Sequence, residues 1–143
     1  DRMKMGKPHT VFLSRQAIAL LKEQREETKH LNTKWVFPNQ VRPKMPMANN
    51  AVLFGIGRLG YKSKMTGHGF RAIARTMLRE ELNYDADVIE AQLAHRAAGP
   101  LGEAYNRAQH LDKRRKMMQH WSDQVNALAS GGKVVAGNFK KRA

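Results

Sequence analysis

Phe70, Ile73, Ala74, Met77 and Leu78 recur at the i, i+3, i+4, i+7, i+8 spacing that lays one apolar stripe along an α-helix. A strand cannot use this pattern, because its side chains change face at every residue. The stretch therefore commits the middle of the chain to a helix that must bury one side against other elements. Its neighbours follow the same logic. Ser14 offers a capping oxygen to a helix over 15–29, where Ala17, Ile18 and Leu21 share a face and Lys22, Glu23, Arg25 and Glu26 are solvated. Val52, Leu53, Ile56 and Leu59 predict a helix over 49–60, which Gly55 and Gly57 weaken by about 1 kcal/mol each relative to alanine. Asp85 caps a further helix with Val88, Ile89 and Leu93 inward. Gly99-Pro100 breaks the chain before a short helix holding Tyr105. A last amphipathic helix over 111–128 is expected to bury Leu111, Met118, Trp121, Val125 and Leu128.

Strand-type sequence is confined to the ends. Met3 to Leu13 reads as two short strands turned by Gly6 and Pro8, and Val134-Val135 as one strand in the tail after Ser130-Gly131-Gly132. Residues 30–47 hold three prolines and Trp35-Val36-Phe37, a connecting loop with room for one tucked strand. The expected fold class is mainly α with a small N-terminal β-hairpin, an α+β arrangement. At 143 residues the chain suffices for one modest core. It divides into a folded part over 1–129 and a basic tail over 130–143. The first residue is Asp1 and not a start methionine, so the expectation is a piece of something longer. No apolar run approaches the ~18 residues of a membrane span, so no membrane partner is expected.

Charge narrows the function. Lys plus Arg number 26 against 12 Asp plus Glu, a formal +14. Residues 1–64 carry a net +9, residues 65–105 a net −2 and residues 106–143 a net +7. A near-neutral helical middle between basic flanks suits a polyanion, whose condensed counterions Lys and Arg displace. Charge alone leaves a ribosomal, RNA-binding or membrane-surface role open. Gly55-Ile56-Gly57-Arg58-Leu59-Gly60 has the glycine spacing of a dinucleotide loop, yet it sits inside a helical pattern with no strand before it, so the match is read as accidental. The six histidines contain no i, i+4 pair and no accompanying carboxylates, so no metal site is expected. Cysteine is absent, which excludes disulfides and thiolate ligands.

One constellation has coherent chemistry. His68 and Arg71, three apart, leave the same edge at the start of the best helix, where amides favour a bound anion. His95 ends the following helix, and Tyr105 comes ten residues later. A guanidinium, two imidazoles and a phenol supply oxyanion donors, a proton carrier and a nucleophile for phosphoryl transfer. Each also has a plain structural reading: a capping His68, an ion-paired Arg71, a helix-end His95, a core Tyr105.

The motifs in order resemble those of the tyrosine recombinases, the phage-integrase family. Thr66-Gly67-His68-Gly69-Phe70-Arg71 looks like their His-x-x-Arg box, Leu93-Ala94-His95 like their Leu-(Gly/Ala)-His box, and Ala104-Tyr105-Asn106-Arg107 like the nucleophile segment. The intervals of 24 residues from Arg71 to His95 and 10 from His95 to Tyr105 suit the family. Arg114-Arg115-Lys116-Met117-Met118-Gln119-His120-Trp121 is similar to the C-terminal helix of prophage and satellite-phage integrases, and the likeness extends over residues 1 to about 128. The opening hairpin is similar too, with Phe12 where the family often has proline.

The resemblance implies a truncated tyrosine recombinase catalytic domain that integrates and excises DNA through a 3′-phosphotyrosine link. Tyr105 is then the nucleophile, Arg71 and His95 hold phosphate oxygens, His68 moves the nucleophile's proton, and Lys4, with Lys7 as the fallback, protonates the leaving oxygen. Lys7, Arg107, Arg114 and Arg115 are the expected DNA contacts. No cofactor or metal is implied. The partners implied are double-stranded DNA, other protomers in a tetramer on two sites, and accessory DNA-bending proteins, in the bacterial cytoplasm at the nucleoid. Two features depart from the family pattern: its first catalytic arginine and its N-terminal clamping domains normally lie upstream of Asp1. Loss of one oxyanion donor costs roughly 10²–10³-fold, so the chain alone is expected to be nearly inactive. A tail strand at Val134-Val135 docking in cis or on a neighbour is a further expectation. A topoisomerase of related chemistry, a non-catalytic DNA-binding module and a decayed prophage remnant remain alternatives.

Overall fold

The computed structural model describes residues 9–94 and 110–131. Five α-helices run through them: α1 (Arg15–Thr28), α2 (Ala51–Ile56), α3 (Gly67–Glu80), α4 (Ala86–Gln92) and α5 (Leu111–Ala129). A 3₁₀ turn, Lys29–Leu31, extends α1, and a wider π-type turn, Gly57–Tyr61, extends α2. That wide turn closes at Gly60, whose φ of 84° lies in the left-handed region open to glycine.

Caps set the helix starts. The Ser14 hydroxyl accepts from the Ala17 amide at 3.1 Å, as its sequence position predicts. Thr66 does the same for α3, accepting from the Gly69 amide at 3.1 Å. Asp85 stands at the start of α4 in extended backbone but makes no side-chain cap bond. Its carboxylate instead lies 3.5 Å from Lys113 Nζ on α5. α3 ends where the amides of Glu81 and Leu82 both reach the Met77 carbonyl, and Asn83 turns the chain at a φ of 54°.

The core lies where α3, α4 and α5 meet. Leu78, Val88, Ile89 and Met117 are buried there, with Leu82, Tyr84, Leu93 and Trp121 packed around them. α1 joins from the side through polar groups. Ser14 donates to Ser122 at 2.9 Å, Gln16 to Asp123 at 2.6 Å, and Gln119 bonds both Gln16 and Asp123 at 2.9 Å. No helix among the described residues is long and apolar enough to cross a membrane.

Three expectations change. The N-terminal hairpin is not seen: residues 9–13 pair with no strand among the described residues, and residues 1–8 lie outside them. The Thr10 carbonyl accepts a hydrogen bond from the Arg114 guanidinium. In the 30–47 loop the tucked strand is reduced to a single antiparallel bridge, Pro38 to Pro46. The loop is otherwise closed by Trp35 Nε1 donating to the Lys44 carbonyl at 3.0 Å. On α5 the buried residues are Arg114 and Met117, while Leu111 and Val125 are exposed. The inward line of that helix runs through residues 114, 117 and 121, a face that hydropathy alone rejects because it contains an arginine. The tail over 132–143 and its predicted strand lie outside the described residues.

Candidate active site

His68 and Arg71 sit one turn apart in the first half of α3, both exposed, beyond the Thr66 cap. The cap settles one amide of the first turn, leaving the others directed past the helix end, where the macrodipole favours an anion. Gly69 between them is tightly held. A Cβ there would come within 2.7 Å of Met65 Sδ, so a side chain would have to displace that methionine.

The Arg71 guanidinium crosses to α4, where Nη2 donates to the Leu93 carbonyl at 2.6 Å. A cation belongs there, because the last carbonyls of a helix lack intrahelical partners and carry partial negative charge. This bond joins the His68–Arg71 box to the Leu93-Ala94-His95 box at its first residue. Arg75, one turn further along α3, holds the same helix through Glu90, with Nε to Oε1 at 2.5 Å. Both side chains of that pair retain solvent contact, so its contribution to stability is at most about 1 kcal/mol.

His95, Tyr105, Arg107, Lys4 and Lys7 lie outside the described residues. Of the expected DNA contacts that remain, Arg115 is exposed, with its guanidinium carbon 5.0 Å from the centre of the Phe12 ring. Arg114 departs from expectation. It is 3% exposed, donates from Nε to Gln92 Oε1 at 2.9 Å and to the Thr10 carbonyl, and has its guanidinium carbon 5.6 Å from the centre of the Phe12 ring. Burial pushes its guanidinium down from the ordinary arginine range. A cation so enclosed is turned inward, away from solvent.

Two residues that sequence reasoning passed over, His9 and Gln92, take part in this network. His9 Nε2 donates to the Gln92 carbonyl at 3.0 Å. The only sequence signal for His9 was its place beside the predicted lysine turn. Gln92 had none, being a polar residue on a short helix. No group of three or more histidine, cysteine or acidic side chains among the described residues is arranged to hold a metal.

The family model described as "Phage integrase family" matches residues 1–111. The chain belongs to the phage integrase family. That agrees with the likeness carried by its His68–Arg71 and Leu93–His95 boxes. The prophage integrase IntA of Escherichia coli K12 is 41% identical over 99% of this chain and 33% of its own length. The integrase of Shigella phage Sf6 is 44% identical over 85% of the chain and 31% of its own length. For the integrase of Enterobacteria phage P4 the figures are 37%, 87% and 28%. This integrase-family chain thus spans about a third of the length of the relatives it matches. No solved structure matches it.

Proposed function

We propose that this chain carries the catalytic groups of a site-specific DNA recombinase that cuts and rejoins strands through a 3′-phosphotyrosine intermediate, within a protein of its relatives' full length. The observation that carries the reading is the Arg71–Leu93 bond, which draws the two boxes of the family together at one helix end. The net charge of +14 and the relatives' names, all integrases, support DNA as the substrate.

In this reading the Tyr105 oxygen attacks the scissile phosphorus and its proton leaves by way of His68. The bond to the 5′ oxygen breaks, and Lys4 returns a proton to that oxygen. Arg71 and His95 donate to the non-bridging oxygens as charge builds on them. A phenol with a pKa near ~10 is a poor nucleophile at neutral pH without such cations beside it. The phosphodiester becomes a phosphotyrosyl ester of similar energy, so a 5′ hydroxyl from a second duplex reverses the step and completes exchange. Two duplexes with two cut strands each require four protomers.

The test is covalent trapping on a nicked duplex, in a protein of the relatives' full length that carries this chain. The wild type forms a denaturant-resistant DNA adduct and Tyr105→Phe forms none. An adduct that persists in Tyr105→Phe overturns the nucleophile assignment. Relaxation of supercoils without exchange between two sites overturns recombination in favour of a topoisomerase.

A further inference from the structure

Arg114 has the least exposed charged side chain among the described residues, and its bonds reach two other parts of the chain. From α5 its Nε meets Gln92, at the end of α4 and three residues before His95 in sequence. Another guanidinium nitrogen meets the carbonyl of Thr10, six residues after Lys4. Arg114 itself stands in the first turn of α5, nine residues after Tyr105. His9 reinforces the junction by donating to the Gln92 carbonyl at 3.0 Å.

The helix cannot easily turn Arg114 elsewhere. Met117, three residues on, is fully buried in the core, so the face of α5 that carries both is fixed inward. A planar fork with donors at fixed angles suits a junction of this kind, whereas a lysine offers a single point charge. The expected DNA contacts Arg114 and Arg115 thus separate into an inward first member and an exposed second.

We propose that Arg114 is a positioning residue for strand cleavage, fastening together the three chain segments that lead to Lys4, His95 and Tyr105. The proposal rests on the recombinase reading above. It differs from a plain structural role in what it sets: the relative placement of groups on three separate segments, to which the chemical step is far more sensitive than DNA affinity is. A misplacement of 1 Å at a reacting group costs about a hundredfold in rate.

The experiment measures single-turnover cleavage of a nicked duplex at saturating protein, well below the melting temperature, beside the dissociation constant for the same DNA. It is run in a protein of the relatives' full length carrying this chain, with Arg114→Lys, Gln92→Ala and the double variant. Arg114→Lys keeps the charge, and Gln92→Ala breaks one arm of the junction without removing the buried cation. The expected result is a cleavage rate about a hundredfold lower for Arg114→Lys and at least tenfold lower for Gln92→Ala. The double variant should be no slower than Arg114→Lys, with DNA affinity within about twofold throughout. Folded variants that cleave within threefold of wild type overturn the proposal, as does a loss confined to affinity. So does an unfolded Arg114→Lys beside a Gln92→Ala that cleaves at full rate, which would make Arg114 merely structural. A wild type that forms no adduct defeats the recombinase reading and this proposal with it, whereas an active wild type with equally active variants defeats this proposal alone.

Discussion

Ile89 is 1% exposed and sits in a buried group that, among the described residues, otherwise contains Leu78, Val88 and Met117. Replacing it with alanine removes three carbons from the point where α3, α4 and α5 meet. At ~0.8 kcal/mol per buried methylene the transfer loss is about 2.4 kcal/mol. The incompletely collapsed cavity raises the total to about 3–4 kcal/mol. Ile89→Val removes one carbon and is expected to cost about 1 kcal/mol. Against a typical domain stability of about 5–15 kcal/mol, the alanine variant loses a large share of what holds the helices together. Urea titration followed by far-UV circular dichroism, extrapolated linearly to water, gives both values, and an unchanged slope shows that the exposed surface on unfolding is the same. The reasoning is refuted if the alanine variant loses less than about 1 kcal/mol, or if alanine and valine are indistinguishable. Either result would mean that the helices are held together somewhere other than at this cluster.

Thr66→Ala removes the hydroxyl that accepts the Gly69 amide and should destabilise the chain by about 1 kcal/mol, loosening the turn that presents His68; Thr66→Ser should restore it, and the same urea titration measures both. The Asp123 carboxyl is held below its ordinary value of 3.8, first by hydrogen bonds from Gln16 and Gln119 and further by Arg15 and His120. A lowered folded-state pKa gives stability that is present above the unfolded value and is lost as pH falls through the folded one. The urea midpoint should therefore drop less on acidification from about pH 6 to about pH 3 in Asp123→Asn than in wild type, and equal drops would remove Asp123 from the acid response.

The regular elements were legible where one local rule decided them. The stripe from Phe70 to Leu78 predicts a helix, and α3 spans Gly67–Glu80. Ser14 caps α1 through the hydroxyl that its sequence position suggested. The same stripe misjudged burial, since Phe70 is 52% exposed and only Leu78 of its members is buried. Periodicity reports which side of a helix is apolar and says nothing of what covers it. α2 and the π-type turn after it make the point more sharply: Val52, Leu53 and Leu59 are exposed, and Ile56 alone is buried. At the site, the spacing of His68 and Arg71 gave their shared edge, but the arrival of Arg71 at Leu93 is a tertiary contact between residues 22 apart. Arg114 was misread for a related reason. A basic run carries one local meaning, exposed charge, whereas hydrogen bonds to Gln92 and Thr10 help make an enclosed guanidinium tolerable.

The seam between α1 and α5 is built of serine, glutamine and aspartate side chains, groups that water satisfies almost as well as they satisfy one another. Each such bond contributes only about 1 kcal/mol net. Resistance to opening is expected to be unevenly distributed, with α1 exchanging its amide protons sooner than the cluster around Ile89. The apolar cluster includes Leu78 of the helix that carries His68 and Arg71, whereas α1 reaches α5 through polar bonds.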